Sequence, residues 1–359
     1  MLQILFITFP FFALVLAGYV AARRRMLPLE AIPGLNGFVL YFALPCMLFR
    51  FGSTTPLAHL LDPALALTYL LCALVMVGFV VAVSLNHRIG WNDAAFGALV
   101  ASFPNTGFMG VPLLVALLGN AAAGPAIVTI VVDLVVTSSL CIALSRIDTA
   151  PPATPAHPPL PTGSERPLPG GASPARVAAR NALKGVIANP MPWAIVLGAV
   201  ASAVQLELPR PVMQTISLLA DAASPVALFT IGAVLARSAM MVASPLITAS
   251  SAGGHVGDRA SAGPLYDMPL RDYLPVALVK LLVHPLLVLL VGAAAIRLGL
   301  PIDRFALTVI VLVAALPSAS NVSLLAEKFG ANNGRIARII LVSTVLSFLT
   351  FSAAVALLT

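Results

Sequence analysis

Four ionisable side chains stand inside long apolar stretches of this 359-residue chain: Asp133, Asp221, Lys280 and His284. An ionisable group in hydrocarbon is costly, so such residues are the first candidates for function. Lys280 and His284 are four residues apart and share one helix face. Facing a cavity, the ammonium attracts an anion and the imidazole exchanges a proton near neutral pH. A structural reading stands beside this one, in which Asp133 or Asp221 pairs with Lys280 and fixes two helices. Glu327 and Lys328 lie near the inner end of their apolar run, and His87 sits in the interfacial stretch NHRIGW; neither position asks for special chemistry.

Two further stretches combine helix breakers with small polar groups. FPNTGFMGVP places Pro104, Asn105 and Thr106 together, and LPSASN places Pro317, Ser318, Ser320 and Asn321 together. Proline removes a backbone donor and disturbs the carbonyl four residues earlier, and within a bilayer the freed groups must be satisfied by protein or water. Both stretches therefore predict discontinuous helices. A half-helix N-terminus carries about +0.5 charge and unpaired N–H groups, which suit a carboxylate. Asn105, Thr106, Ser318, Ser320 and Asn321 add neutral hydrogen-bonding groups and are the candidate substrate-binding residues. Gly107 and Gly110 leave room for another backbone. The alternative is a pair of simple kinks whose small residues allow close helix packing.

Other chemistries are absent from the sequence. No G-x-x-x-x-G-K-[ST] and no H-E-x-x-H occurs, and neither Asp133 nor Asp221 lies in a G-x-G-D context. Cys46, Cys72 and Cys141 have no C-x-x-C spacing, so they read as buried filler. The NVS at Asn321 is a glycosylation sequon only in form, because it lies in an apolar span. The reading is therefore of a non-enzymatic chain without metal or cofactor.

The elements that position these residues are membrane spans. Sixty per cent of the residues are hydrophobic and 9% are charged, against about 25% charged in a soluble domain. The net charge of +7 then reports membrane orientation rather than nucleic-acid binding. Apolar runs of bilayer length occur at about 2–22, 33–52, 64–86, 94–118, 123–145, 186–206, 212–236, 272–297, 304–327 and 336–358, which makes ten spans. The first is no cleaved signal, because Arg23, Arg24 and Arg25 follow its apolar core instead of preceding it. With the N-terminus outside, the inner connections hold fifteen Lys and Arg residues and the outer ones four: Arg50, Arg210, Arg297 and Arg304. The positive-inside rule then puts both termini on the outer side.

The proline-rich stretch Ala150 to Ala175 is a cytoplasmic linker that divides the spans into five and five, and Ser244 to Asp267 is a second polar cytoplasmic loop. Short matches run between the halves in order. ALVLAG pairs with AIVLGA, PCMLF with PVALF, RIG with RLG, and ASFP with AALP; the offset jumps where the second loop is inserted. An odd number of spans per repeat puts the halves in opposite orientations. The domain reading is a first repeat over 1–145, a linker over 146–185, and a second repeat over 186–359 with an insertion at about 238–270. The fold class is an all-α polytopic membrane protein whose broken fourth and ninth spans occupy matching places in two inverted five-helix repeats.

In combination, FALPCMLF (Phe42 to Phe49), FPNTGFMGVPLL (Phe103 to Leu114), DAASPVALFTIGAVLA (Asp221 to Ala236), KLLVHPLL (Lys280 to Leu287) and ALPSASNVSLLAEKFG (Ala315 to Gly330) carry a family likeness. The chain resembles bacterial members of the auxin efflux carrier family, which includes proposed malonate carriers. The resemblance implies that spans four and nine cross near the midplane at Pro104 and Pro317, with Asn105 and Asn321 beside the substrate. It implies a scaffold of spans 1, 2, 6 and 7 and a transport part of spans 3–5 and 8–10 that shifts like an elevator. It also implies a secondary transporter in the cytoplasmic membrane, moving a small organic anion with or without protons, and a homodimer joined through the scaffold. Long, phosphorylated central loops of plant members have no counterpart here. A cation/proton antiporter and a non-transporting membrane sensor are the competing readings.

Overall fold

The computed structural model describes residues 2–54, 62–147, 190–242 and 268–359. Within them the chain is helical, with isolated backbone bridges and no strand. We number the helices α1 (Leu2–Arg23), α2 (Leu29–Thr54), α3 (Pro63–Ser84), α4 (Trp91–Ser102), α5 (Thr106–Leu118), α6 (Asn120–Leu144), α7 (Pro190–Ala203) and α8 (Arg210–Val242). They continue with α9 (Leu274–Arg297), α10 (Arg304–Ala315), α11 (Val322–Lys328) and α12 (Asn333–Leu358). Six helical stretches among the described residues are long and apolar enough to cross a membrane, and shorter apolar helices accompany them. The expected single spans 94–118 and 304–327 are each two helices, α4 with α5 and α10 with α11. The proline-rich linker and the second polar loop lie outside the described residues.

Local chemistry sets several helix starts. The Asp62 carboxylate accepts from the Leu65 N–H at 2.9 Å, and Asp303 accepts from Ala306 at 3.2 Å. Asn332 accepts from Arg335 at 3.0 Å and starts α12. Each side chain occupies an amide that the first helical turn leaves without a partner. The apolar residues of α3 point outward as well as inward: Leu67, Leu71, Phe79 and Val83 are exposed while Leu65, Tyr69, Met76 and Val80 are buried. In water such a surface would aggregate; against lipid it is the expected exterior.

Two helix pairs approach through glycine. On the α1–α8 contact, a Cβ at Gly18 would overlap the Phe229 carbonyl oxygen, and one at Gly232 would overlap that of Val15. On the α2–α7 contact the approach is looser but still at the backbone: a Cβ at Gly198 would lie 2.7 Å from the Phe49 carbonyl oxygen, and one at Gly52 would lie 3.3 Å from Gly198 Cα. With no hydrophobic gain available between helices in lipid, close backbone approach is what holds such pairs. Elsewhere α3 packs on α4 and on α9, and α9 packs on α10.

A polar clasp joins the ends of α4, α9, α11 and α12. Buried Arg335 donates from Nη1 to the Asp93 carbonyl at 2.9 Å and from Nε to the Asp272 carbonyl at 2.8 Å. The Asp93 carboxylate accepts from the Asn332 N–H at 2.7 Å, and the Asn92 amide donates to the Phe329 carbonyl at 3.2 Å. Gly97 provides the space for the guanidinium.

Gly232→Val is expected to force α1 and α8 apart at a cost of at least about 1–3 kcal/mol, read as a lower melting temperature in detergent. Gly34→Ala, whose added methyl meets nothing within 4 Å, should melt no lower than the parent.

Candidate functional site

The two helix breaks face each other. Pro104 and Ser318 form an antiparallel bridge: the Asn105 N–H donates to the Pro317 carbonyl at 2.8 Å, and the Ala319 N–H donates to the Phe103 carbonyl at 3.0 Å. The breaks cause this arrangement. Each proline interrupts its own i to i−4 ladder, and the backbone groups released from one helix satisfy those released from the other. Asn105 is buried and precedes a wide π-type turn over Thr106–Gly110. Such turns recur at functional positions in helices.

Around this crossing, polar side-chain atoms are buried without partners: Thr106 Oγ1, Ser318 Oγ and Asn321 Oδ1. A buried polar group left unpaired costs about 1–3 kcal/mol, so three at one place mark a position where a ligand or water completes the bonding. A cavity of about 30 Å³ lies at the crossing, lined by Asn321, Asn105, Pro104 and Phe108 with Leu44 of α2 and Met191 of α7; of the three unpartnered atoms, that of Asn321 belongs to its lining. A second, of about 20 Å³, shares Phe108 and is lined by Ser320, Asn36 of α2 and Thr230 of α8. Each has room for a water molecule or two. Gly110 faces the Leu316 side chain and Gly107 that of Leu44, so the glycines admit neighbouring side chains rather than the backbone expected from the sequence.

Lys280 and His284 form a separate, fully buried group with Asp133 and Tyr69. The Lys280 ammonium donates to the Ala314 carbonyl at 2.7 Å and lies 3.1 Å from His284 Nδ1. That carbonyl belongs to the last turn of α10. Its ordinary helical donor would be the Ser318 N–H, which donates instead to Ser343 Oγ at 3.2 Å. Lys280 thus replaces a donor diverted at the Pro317 break, and its charge sits at the negative end of the half-helix. It lines neither cavity, so the expected direct attraction of an anion has no geometric support here. The Asp133 carboxylate accepts from Tyr69 at 2.9 Å and from Thr137 at 3.0 Å.

The structural pairing expected from the sequence takes a different form. Asp221 pairs with Arg50 at 2.7 Å and is largely exposed, so it is not the partner of Lys280. Its position on α8 lies opposite the last turns of α2, where Arg50 is the nearest cation in space although 171 residues away in sequence. Asp133 and Lys280 share the buried group without an ion pair within 4 Å; among the described residues the ion pairs are Arg50–Asp221 and Arg271–Asp272. Tyr69, Ser343, Phe108 and Asn36 were not singled out from the sequence. Only Tyr69 carried a signal, as a phenol within an otherwise largely apolar span.

A chain-wide family model decides the class: residues 4–355 match the family described as "Membrane transport protein". The chain belongs to that family. This is the auxin efflux carrier family that its motifs resemble, and it makes the protein a multi-pass membrane transporter, not an enzyme. The chain is also 29% identical over 352 residues to a protein of Rhizobium meliloti (strain 1021) named "Putative malonate transporter", with 98% of this chain and 94% of that one covered.

Tyr69→Phe removes the hydroxyl from Asp133 and keeps the ring. It is expected to lower stability by about 1–3 kcal/mol, measured as a shift of the detergent melting curve; an unshifted curve would mean that this bond contributes nothing.

Proposed function

We propose that this transporter moves a small organic anion of the malonate class across the cytoplasmic (inner) membrane by elevator-type alternating access, with the Pro104–Pro317 crossing as its substrate site. The observation that carries this reading is the unpartnered buried Oδ1 of Asn321 at the cavity that it lines with Asn105, with the unpartnered hydroxyls of Thr106 and Ser318 at the same crossing. Asn105 and Asn321 supply amides to a carboxylate, and the start of α5 supplies a partial positive charge. The malonate name of the Rhizobium meliloti relative supports the substrate class.

The helix contacts support ten spans in two inverted repeats, bounded at 1–145 and 186–359. Under such a duplication the contact of the first span with the seventh, α1 on α8, has its counterpart in the sixth with the second, α7 on α2. Likewise α3 on α4 corresponds to α9 on α10. An elevator needs a fixed body and a moving one. Both cavities lie between α2, α7 or α8 on one side and the broken helices on the other, the surface along which such bodies would slide. Their small volumes, against the 300–1,000 Å³ or so of open ligand pockets, fit a conformation closed around the site. Charge placement supports both termini outside, and homodimerisation through the scaffold belongs to the same reading.

Lys280, His284 and Asp133 then act on α10 and its neighbours rather than on the anion, and Asp221 braces the scaffold. The antiporter alternative is not favoured, because Asp133 is held by two hydroxyls and has no second acid beside it among the described residues.

In proteoliposomes loaded with purified protein, Asn105→Ala and Asn321→Ala are each expected to reduce uptake of labelled malonate by at least about tenfold, a loss of one charge-assisted hydrogen bond. Uptake equal to the parent in both variants would remove the crossing as the site.

A further inference from the structure

The two cavities that share Phe108 differ in what they offer a ligand, and neither offers a full positive charge. At the crossing cavity a carboxylate meets the amides of Asn105 and Asn321 and the start of α5. In the second cavity the Thr230 hydroxyl is spent on the Val226 carbonyl at 2.7 Å, and the Ser323 hydroxyl lies 2.7 Å from Asn333 Oδ1. The Asn36 amide and the Ser320 hydroxyl remain to meet a ligand. No Lys, Arg or His lines either cavity among the described residues.

Among the described residues no charged side chain of the surrounding helices lines either cavity, Arg210 and Arg237 of α8 and Glu327 and Lys328 of α11 included, and those near the core hold other groups. On α6, Asp133 is held by Tyr69 of α3 and by Thr137. On α9, Lys280 is held by the Ala314 carbonyl with His284 beside it. On α2 and α8, Arg50 and Asp221 hold each other, and on α12 Arg335 is bound to backbone carbonyls. A second carboxylate charge buried here would have no counter-ion, and an uncompensated buried charge is prohibitive.

We propose that the site takes its substrate as a monoanion: one carboxylate at Asn105 and Asn321, and a neutral hydrogen-bonding end at Asn36 and Ser320. This rests on the transport reading above. A dicarboxylate crosses in its hydrogen form, and the proton that accompanies transport rides on the substrate instead of on a side chain. A protonated carboxyl both donates and accepts, as do an amide side chain and a hydroxyl, so the second cavity matches that end chemically. Displacement of the Phe108 ring joins the two cavities into one elongated site.

Malonate and malonamate separate the possibilities, because malonamate carries an amide in place of the second carboxyl and stays singly charged. In proteoliposomes at fixed total substrate, malonate uptake is expected to fall at least about tenfold between about pH 5 and pH 8 as its second carboxyl ionises, while malonamate uptake changes less than about twofold. Malonate uptake that holds steady would show that the dianion is carried and would overturn the proposal. A parallel fall for malonamate would overturn it too, because the titrating group would then belong to the protein. No uptake of either compound at any pH would defeat the transport reading and this inference with it. Asn36→Leu, checked for an unchanged melting curve, is expected to raise the KM for malonate at about pH 5 by about tenfold, the loss of one buried hydrogen bond. An unchanged KM would overturn the placement of the neutral end.

Discussion

Everything at the centre of this molecule depends on two backbone hydrogen bonds between the halves of the chain, Asn105 to Pro317 and Ala319 to Phe103. A broken helix in an apolar core is untenable alone, because each break releases amides and carbonyls that lipid cannot satisfy. Two breaks that meet can satisfy one another. The constraint is stringent: the bridge fixes the relative height and direction of α4, α5, α10 and α11. Lys280 and Ser343 then complete the groups that the bridge leaves over. Leftover side-chain atoms on Thr106, Ser318 and Asn321 follow from the same geometry, since the backbone partners there are already taken.

Around this bridge the helices divide their work by how they pack. α1 with α8 and α2 with α7 meet through glycine at backbone distance, which makes rigid pairs with few adjustable side chains between them. The broken helices meet those pairs through Leu44, Phe108, Thr230 and Ile231, side chains that can slide or rotate. The Arg335 clasp ties α4, α9, α11 and α12 at one end, so these helices are coupled to one another by polar bonds.

Much of this was legible in the sequence, for identifiable reasons. Proline alone does not locate a break, since Pro10 and Pro225 stand within continuous helices; at Pro104 and Pro317 the neighbouring small polar residues made the break legible. The grouping of small polar residues at each break was equally plain. Partner choice was not. Asp133 and Asp221 stand equally as partners for Lys280 in the sequence, because all three are charged and intramembrane, yet the cation opposite Asp221 is Arg50, which the hydropathy pattern assigns to a helix end. Lys280 bonds a main-chain carbonyl, and every residue carries one of those, so no side-chain pattern points to Ala314. Asn36 sits among Gly, Leu and Phe in a stretch that packs against α8, a contact that the local sequence does not announce. Gly107 and Gly110 announced a close approach without saying whether a backbone or a side chain would fill it.

The bridge also bears on biosynthesis. Its partners, Pro104 and Ser318, are separated by more than half of the polypeptide. During insertion the first broken span therefore enters the bilayer long before the segment that completes it has been made. Until then its released backbone groups must be met by water, by the insertion machinery or by neighbouring helices. A chain halted before α10 would present that defect permanently, which makes an incomplete product physically distinguishable from the finished carrier.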